Sequence, residues 1–367
     1  MTGAIMDYSC EPDHSTRLVI RGKEPFNAEP TAAALVEFPI TPEELVYCRN
    51  HGPVREFDPD TYTVTFKGLD KECQVTMSTI KSLFTKVETV AVLQCAGIRR
   101  KEMGAIKPVH GVAWADGVVA NCRWGGARLR DVLQHLELIS DPNADNLHVC
   151  FASYATLCQD DDYYGASIPL AQVLDSDPGV ILAYEMNGED LSPDHGAPLR
   201  IVVPGHLGAR WVKWADTVII SASESPNFYQ QRDYKILPPN VESKEAAKPL
   251  WSKYPAMTAL PLNSVIGTAY KSTSDRLFVK GYALPGPTGN VTAVEVSVDD
   301  GQTWEQTKIT YQESKFSWTI WEGEVPCSAE TGTVYSRATD SSGHVQPKVG
   351  QWNLRGVAFN GWGIADW

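Results

Sequence analysis

Val90-Ala91-Val92-Leu93-Gln94-Cys95-Ala96-Gly97-Ile98-Arg99-Arg100 is the stretch on which the fold and chemistry of this chain turn. Apolar residues run into a thiol, small residues follow, and two fixed positive charges close the segment. A short apolar run rich in valine and leucine, ended by glycine, reads as a buried strand. Cations beside a thiol favour the thiolate, which is both a nucleophile and a soft-metal ligand. Gly97 lets the backbone approach a bulky group. Arg99 and Arg100 offer guanidinium forks to an oxyanion. The stretch alone leaves a second reading open, because buried cysteines as a class are inert core filler.

Outward from this stretch, the chain has room for two domains: 367 residues, 43% of them hydrophobic. Its net charge is −13, from 32 basic and 45 acidic residues. Such a balance argues against nucleic acid as a partner, since that binding rests on phosphate neutralisation. It also makes local arginine clusters more informative. Eight cysteines stand at positions 10, 48, 73, 95, 122, 150, 158 and 327. No two form a CxxC pair, so neither a zinc site nor a disulfide framework is signalled. No basic and apolar leader opens the sequence, no apolar run is long enough for a membrane span, and the chain does not end in Ser-Lys-Leu. A cytoplasmic, reducing location is expected, with mitochondrion and peroxisome as the alternatives.

The expected fold class is α+β in four parts: an N-terminal arm (1–40), a mixed catalytic domain (41–236), a linker (237–257) and a β-sandwich (258–367). Tyr62 to Phe66 reads as a strand closed by Lys67-Gly68. Leu129, Val132, Leu133 and Leu136 recur at helical spacing within 127–138, and 168–174 reads as a second short helix. Leu237-Pro238-Pro239-Asn240 through Lys248-Pro249-Leu250 is rich in proline and charge. Beyond it strands dominate. Val294, Val296 and Val298 share a face, Asp299-Asp300-Gly301 supplies a hairpin turn, and 316–321 and 334–338 alternate in the same way.

The Cys95 segment resembles the molybdenum-ligand segment of the sulfite oxidase family, usually seen as Gln-Cys-Ala-Gly-Asn-Arg-Arg. Further motifs follow in that family's order: Arg49-Asn50-His51-Gly52-Pro53-Val54, Trp124-Gly125-Gly126-Ala127, Tyr164-Gly165-Ala166-Ser167-Ile168-Pro169 and Ala183-Tyr184-Glu185-Met186-Asn187-Gly188. Asp194-His195, Val203-Pro204-Gly205, Gly208-Ala209-Arg210, Val212-Lys213-Trp214, Asp233-Tyr234-Lys235 and Trp352-Asn353-Leu354-Arg355-Gly356 complete the set. The resemblance spans residues 46–357, and the number and order of its motifs make it far more specific than any one of them.

The resemblance implies molybdenum held by Cys95 and by the dithiolene of a pterin, molybdopterin. It implies pterin contacts at Tyr47, Arg49, Asn50, His51, His195, Arg200, Arg210, Trp211, Val212 and Lys213. It implies a site for sulfite built by Arg49, Arg100, Trp114, Tyr234 and Arg355, the last lent by an immunoglobulin-like domain that forms a homodimer. The implied reaction is oxidation of sulfite to sulfate. Retention of Arg355 favours sulfite over nitrate, since eukaryotic nitrate reductases typically lack an arginine there. No haem is expected, because residues 1–40 are too short for a haem module, so dioxygen is the expected electron acceptor.

Some positions depart from the pattern. Ile98 replaces an asparagine, His110 a basic residue and Trp211 a small one. The acidic contact expected near Phe151 is unmatched, with Asp160, Asp161 and Asp162 out of register. Phe359-Asn360-Gly361-Trp362-Gly363 differs from the usual Trp-His-Arg ending. Three rival readings remain: another molybdenum oxotransferase such as a nitrate reductase, a cofactor-binding protein that has lost turnover, and a cysteine-nucleophile hydrolase. The last needs a base near Cys95 that no motif supplies.

Overall fold

The computed structural model describes residues 6–139, 146–175 and 178–367. The strand Lys86–Gln94 carries the stretch quoted above, and every residue from Thr89 to Gln94 is buried. It pairs antiparallel with Val119–Arg128, which continues to Ile181–Met186, itself flanked by Glu189–Asp190 and Arg200–Val202. The other edge of Lys86–Gln94 is closed from the second domain, where Val92 N–H donates to the Phe316 carbonyl (2.8 Å) and the Ser314 hydroxyl to the Val90 carbonyl (2.9 Å). Burial on both faces explains the unbroken apolar run.

A second five-stranded sheet runs Glu72–Thr76, Thr63–Lys67, Thr217–Ser221, His148–Ser153, Tyr164–Pro169. Its one parallel pair joins Thr63–Lys67 to Thr217–Ser221. The helix read over 127–138 is shorter, Leu129–His135, because Ala127 and Arg128 still pair with Leu182 and Ile181. The segment 168–174 divides likewise. Pro169 ends the strand, where its missing N–H breaks no ladder, and the helix Leu170–Asp175 follows.

The C-terminal part is a β-sandwich of two four-stranded antiparallel sheets. One holds Asn263–Thr273, Arg276–Leu284, Thr319–Pro326 and Lys308–Tyr311; the other Glu305–Gln306, Val291–Ser297, Thr333–Asp340 and Gly363–Asp366. Leu277, Val279, Val294, Val296, Trp321, Val334 and Ala338 fill the space between them. The turn after Val291–Ser297 places Asp300 and Gly301 at φ 60° and 82°, the left-handed region that glycine and aspartate tolerate best. Tyr282, Leu284, Trp318 and Ile320 instead join the core of the first domain, so one apolar core runs through both.

Residues 26–36 are built into the body, where Phe26, Ala28, Ala32, Leu35 and Val36 are buried. The Glu29 carboxylate is fully buried and accepts from Ala115 N–H (2.8 Å) and Gly117 N–H (3.0 Å). Residues 237–257 are packed as well. Leu237, Val241 and Ala247 are buried against Met103, Trp352, Leu354 and Phe359, and the short helix Lys244–Ala247 is capped by Ser243. Prolines stop regular structure in this stretch without stopping its apolar side chains from packing. From the sandwich the chain returns to the first domain: His110 N–H donates to the Leu354 carbonyl (3.0 Å) and Ala358 N–H to the Ala96 carbonyl (2.9 Å). That return carries Arg355 towards Cys95. Among the described residues no helix is long and apolar enough to cross a membrane.

Candidate active site

A cleft with about 780 Å³ of atom-free space, its open mouth included, is lined by Tyr47, Arg49, Asn50, His51, Cys95, His195, Arg200, Trp211, Lys213 and Tyr234, along with Asp194, Tyr164 and Trp214. Cys95 lies one residue past the end of its strand and is 6% exposed; its Sγ accepts from Gly97 N–H at 3.4 Å. Gly97 has a steric reason: a Cβ there would sit 2.7 Å from the Arg100 guanidinium carbon. Arg100 lies over that turn and donates to the carbonyls of Val112 (2.9 Å), Arg355 (3.1 Å) and Gly356 (3.0 Å).

The sequence reading placed two arginines beside the thiol, and the structure places one. Arg99 takes φ 58°, and its buried side chain leaves the cleft for the second domain. There it donates to Asn263 Oδ1 (2.8 Å), the Gly361 carbonyl (2.5 Å) and the Trp362 carbonyl (2.6 Å), and pairs with Glu102 (2.7 Å). The backbone turn into the helix Arg100–Ile106 sends successive side chains to opposite sides.

Arg355 pairs with Asp233 at 2.7 Å, and its Nε has no partner. In the sequence, the one signal for Asp233 is that it adjoins a site tyrosine. The Tyr234 hydroxyl lies 2.9 Å from His51 Nε2, and His51 Nδ1 lies 3.2 Å from Arg49 Nη2. Trp114 is fully buried outside the lining, with its indole N–H unpartnered.

On the other wall, Lys213 donates to Asn50 Oδ1 and to the Asp194 carbonyl (2.8 Å), while Asn50 is tied to Phe26 and Asn27 of the N-terminal segment. The Asp194 carboxylate is held by His14 at 2.9 Å. Sequence reasoning missed His14, because nothing local links positions so far apart. Arg200 donates to the His195 carbonyl (2.9 Å), with its Nε unpartnered. Arg210 lies outside the lining, donating to Met257 and Gln230, and keeps one free Nη2. Val212 turns its side chain into the core between Trp211 and Lys213, both in the cleft wall. Ile98, the departure beside Cys95, is buried in the same core. Trp211 donates to the His206 carbonyl (3.1 Å). Asp161 is used locally, accepting from Phe228 N–H at 2.7 Å.

The electrostatics are one-sided. Burial pushes Lys213 down to about 8 against the pull of Asp194, and Arg100 and Arg200 down to about 10. His195 falls to about 3 through burial, then Lys213 and Arg200. His51 is driven well below its usual value by burial and by Arg49, Arg355, Lys213 and Arg100. Burial raises the Tyr234 phenol despite Arg49. Among the described lining residues the one carboxylate is Asp194, which His14 already occupies. Buried cations held without matching anions are costly for folding alone and suit an anionic ligand. The unpartnered Nε atoms of Arg200, which lines the cleft, and of Arg355 point the same way. A free thiol at one end and donors along both walls fit a sulfur-ligated metal with an anionic, polar-edged organic group.

The model of the oxidoreductase molybdopterin binding domain matches residues 51–229, and that of the Mo-co oxidoreductase dimerisation domain matches 255–363. Sulfite oxidase from Arabidopsis thaliana is 38% identical over 97% of this chain and 95% of its own length. The chain belongs to the sulfite oxidase family. It is a molybdenum-dependent oxidoreductase with a molybdopterin-binding domain followed by an immunoglobulin-like β-sandwich of the dimerisation type. Family members from further afield match as well: the Gallus gallus sulfite oxidase is 38% identical over 97% of this chain and 79% of its own length. A nitrate reductase from Hordeum vulgare is 36% identical over 95% of this chain but only 41% of its own. The sulfane dehydrogenase SoxCD structure from Paracoccus pantotrophus shares the fold, with a TM-score of 0.75 at 24% identity, covering 97% of this chain and 87% of that one.

Proposed function

We propose that this chain oxidises sulfite to sulfate by oxygen-atom transfer and passes the electrons to dioxygen. The observation that carries the reading is the cationic corner beside Cys95. There Arg49, Arg100 and Arg355 adjoin Tyr234, and Asp233 pairs with Arg355 alone among them. Among the described residues Arg49 and Arg100 bond only neutral groups: an amide, an imidazole and carbonyls. A small dianion entering this corner gains charge-assisted hydrogen bonds and relieves repulsion among guanidinium groups.

The residues fit molybdopterin. Cys95 would ligate the metal, while Tyr47, Asn50, His51, His195, Arg200, Trp211 and Lys213 would line the pterin, with Arg210 and Val212 behind them. When bound, the molybdenum–pterin group supplies two-electron redox chemistry and the transferable oxygen. Arg49, which lines the cleft, with Arg100 and Arg355 near it, would hold the anion beside Cys95 and stabilise charge that develops on its oxygens. Tyr234, protonated at neutral pH, donates a hydrogen bond to the same anion. The match to a dimerisation domain supports a homodimer joined through the sandwiches.

Oxygen consumption on adding sulfite to molybdenum-loaded protein tests the reading, with ferricyanide as an alternative acceptor and Cys95→Ser as control. Turnover with dioxygen that disappears in Cys95→Ser is the expected result. Turnover with ferricyanide alone would remove dioxygen as acceptor. Nitrate reduction by a reduced dye without sulfite oxidation would overturn the substrate and favour the nitrate reductase relative.

A further inference from the structure

The hydrogen bonds of His51 fix which of its ring nitrogens carries the proton. Nδ1 lies 3.2 Å from Arg49 Nη2, and Nε2 lies 2.9 Å from the Tyr234 hydroxyl. A guanidinium has only N–H donors and no acceptor. Nδ1 must therefore be the bare, accepting nitrogen, and the single proton of the neutral ring sits on Nε2. Nε2–H then points at the Tyr234 oxygen, which accepts. The Tyr234 proton cannot occupy the same line, so it turns away from His51, into the cleft that Tyr234 lines.

We infer that His51 is a positioning residue for oxyanion recognition: locked by Arg49 as a donor, it compels Tyr234 to present its own O–H to the substrate. This deepens the sulfite reading and rests on it for the identity of the anion. The ring has little freedom to do otherwise. It packs on Tyr229 at 3.9 Å between centroids and on Tyr164 at 5.5 Å, and its carbonyl accepts from Gln159 N–H at 2.9 Å. The charged groups facing it are Arg49, Arg355, Lys213 and Arg100, with the phenols of Tyr164, Tyr229 and Tyr234 beside it. All four charges oppose a second proton on the ring. His51 accordingly stays neutral and is no proton acceptor for Tyr234, despite standing at hydrogen-bond distance.

The test joins a spectroscopic and a kinetic arm. In molybdenum-loaded protein labelled with ¹⁵N-histidine, and with His51→Gln to assign the signal, nitrogen–carbon-proton correlation spectra report the tautomer directly. The expected result is protonated Nε2 and bare Nδ1, unchanged from about pH 6 to about pH 8. A proton on Nδ1, or a doubly protonated ring in that range, would overturn the inference. In sulfite oxidation, His51→Gln keeps an N–H donor and His51→Phe keeps the ring stack without one, so kcat of the Phe variant is expected to fall about tenfold below that of the Gln variant. Equal kcat in folded, molybdenum-loaded Phe and Gln proteins would also overturn it. Should His51→Phe fail to fold, the spectra decide. A wild-type protein inert to sulfite would sink the substrate reading instead, and the tautomer would still be read from the spectra.

Discussion

Arg99→Met separates the two adjacent arginines that the sequence presents as equals. In the structure Arg99 is a strut between domains, and Arg100 adjoins the reacting cleft. Removing the Arg99 guanidinium takes charged donors from Asn263 Oδ1, the Gly361 carbonyl and the Trp362 carbonyl, and leaves Glu102 alone. Each hydrogen bond from a charged group contributes ~1.5–3 kcal/mol. Two of the acceptors are partly rescued, because Gln346 Nε2 lies 2.7 Å from the Gly361 carbonyl and 3.3 Å from Asn263 Oδ1. Glu102 is 39% exposed and rehydrates at little cost. The contact of the Arg99 guanidinium with the Phe359 ring, at 4.9 Å, is lost too. The sum lies near the lower end of the ~3–5 kcal/mol typical of breaking a buried charged pair, so a loss of ~3 kcal/mol is expected. Urea unfolding of the molybdenum-loaded protein measures it. At low temperature, KM for sulfite should match wild type within about twofold, whereas Arg100→Met should raise it at least about tenfold, the equivalent of one charge-assisted contact. A stability loss under ~1 kcal/mol with a tenfold higher KM in Arg99→Met would refute the assignment.

Other consequences follow from the same wall of the cleft. Lys213 drops to about 8 from its usual 10.5. Between those values the unfolded chain holds a proton the folded one has lost, so cofactor-free wild type gains stability as pH rises through that window. Measured by urea unfolding, the stability of wild type relative to Lys213→Met should climb by up to ~1.4 kcal/mol per pH unit above about pH 8 and stay flat below about pH 7; a flat difference throughout would show that Lys213 is not buried as a cation. His14→Ala frees the Asp194 carboxylate beneath Lys213 and should speed release of bound pterin roughly tenfold, a ~1.4 kcal/mol loss, followed by pterin fluorescence. Unchanged release would confine His14 to the arm. Gly97→Ala brings a Cβ to 2.7 Å from the Arg100 guanidinium carbon and should lower sulfite affinity about as much as Arg100→Met does; wild-type affinity would show that the guanidinium can yield.

The chemistry was legible where it is local. A thiol at the end of an apolar strand and the hairpin signal at Asp299-Asp300-Gly301 are written in neighbouring residues, and both stand in the structure where the pattern puts them. The motif order names much of the cleft wall, Tyr47, Arg49, Asn50, His51, His195, Arg200, Trp211, Lys213 and Tyr234, while Arg100, Trp114, Arg210 and Arg355 lie outside that lining. What stayed hidden depends on distance or on a single dihedral. The φ of 58° at Arg99 reverses the direction of one side chain, and no pattern of residue types states it. His14 meets Asp194 across 180 positions, and Arg355 meets Asp233 across 122. The buried Glu29 looked like part of a polar arm, because only folding brings the N–H groups of Ala115 and Gly117 to it. The proline-rich 237–257 segment reads as a linker, and its packing is not legible because its apolar residues show no period even though they pack together.

Sulfate formation from sulfite, with ferricyanide as acceptor, shows whether turnover runs through the Cys95 thiolate when wild type and Cys95→Ser are compared at equal pterin content. Ferricyanide removes the question of the natural acceptor, and equal pterin content removes that of folding. Rapid sulfate formation is expected of wild type and a loss of at least about a thousandfold of the variant, or ~4 kcal/mol in the barrier. Sulfate formed at similar rates by both, or by neither with molybdenum bound, would contradict sulfite oxidation through Cys95.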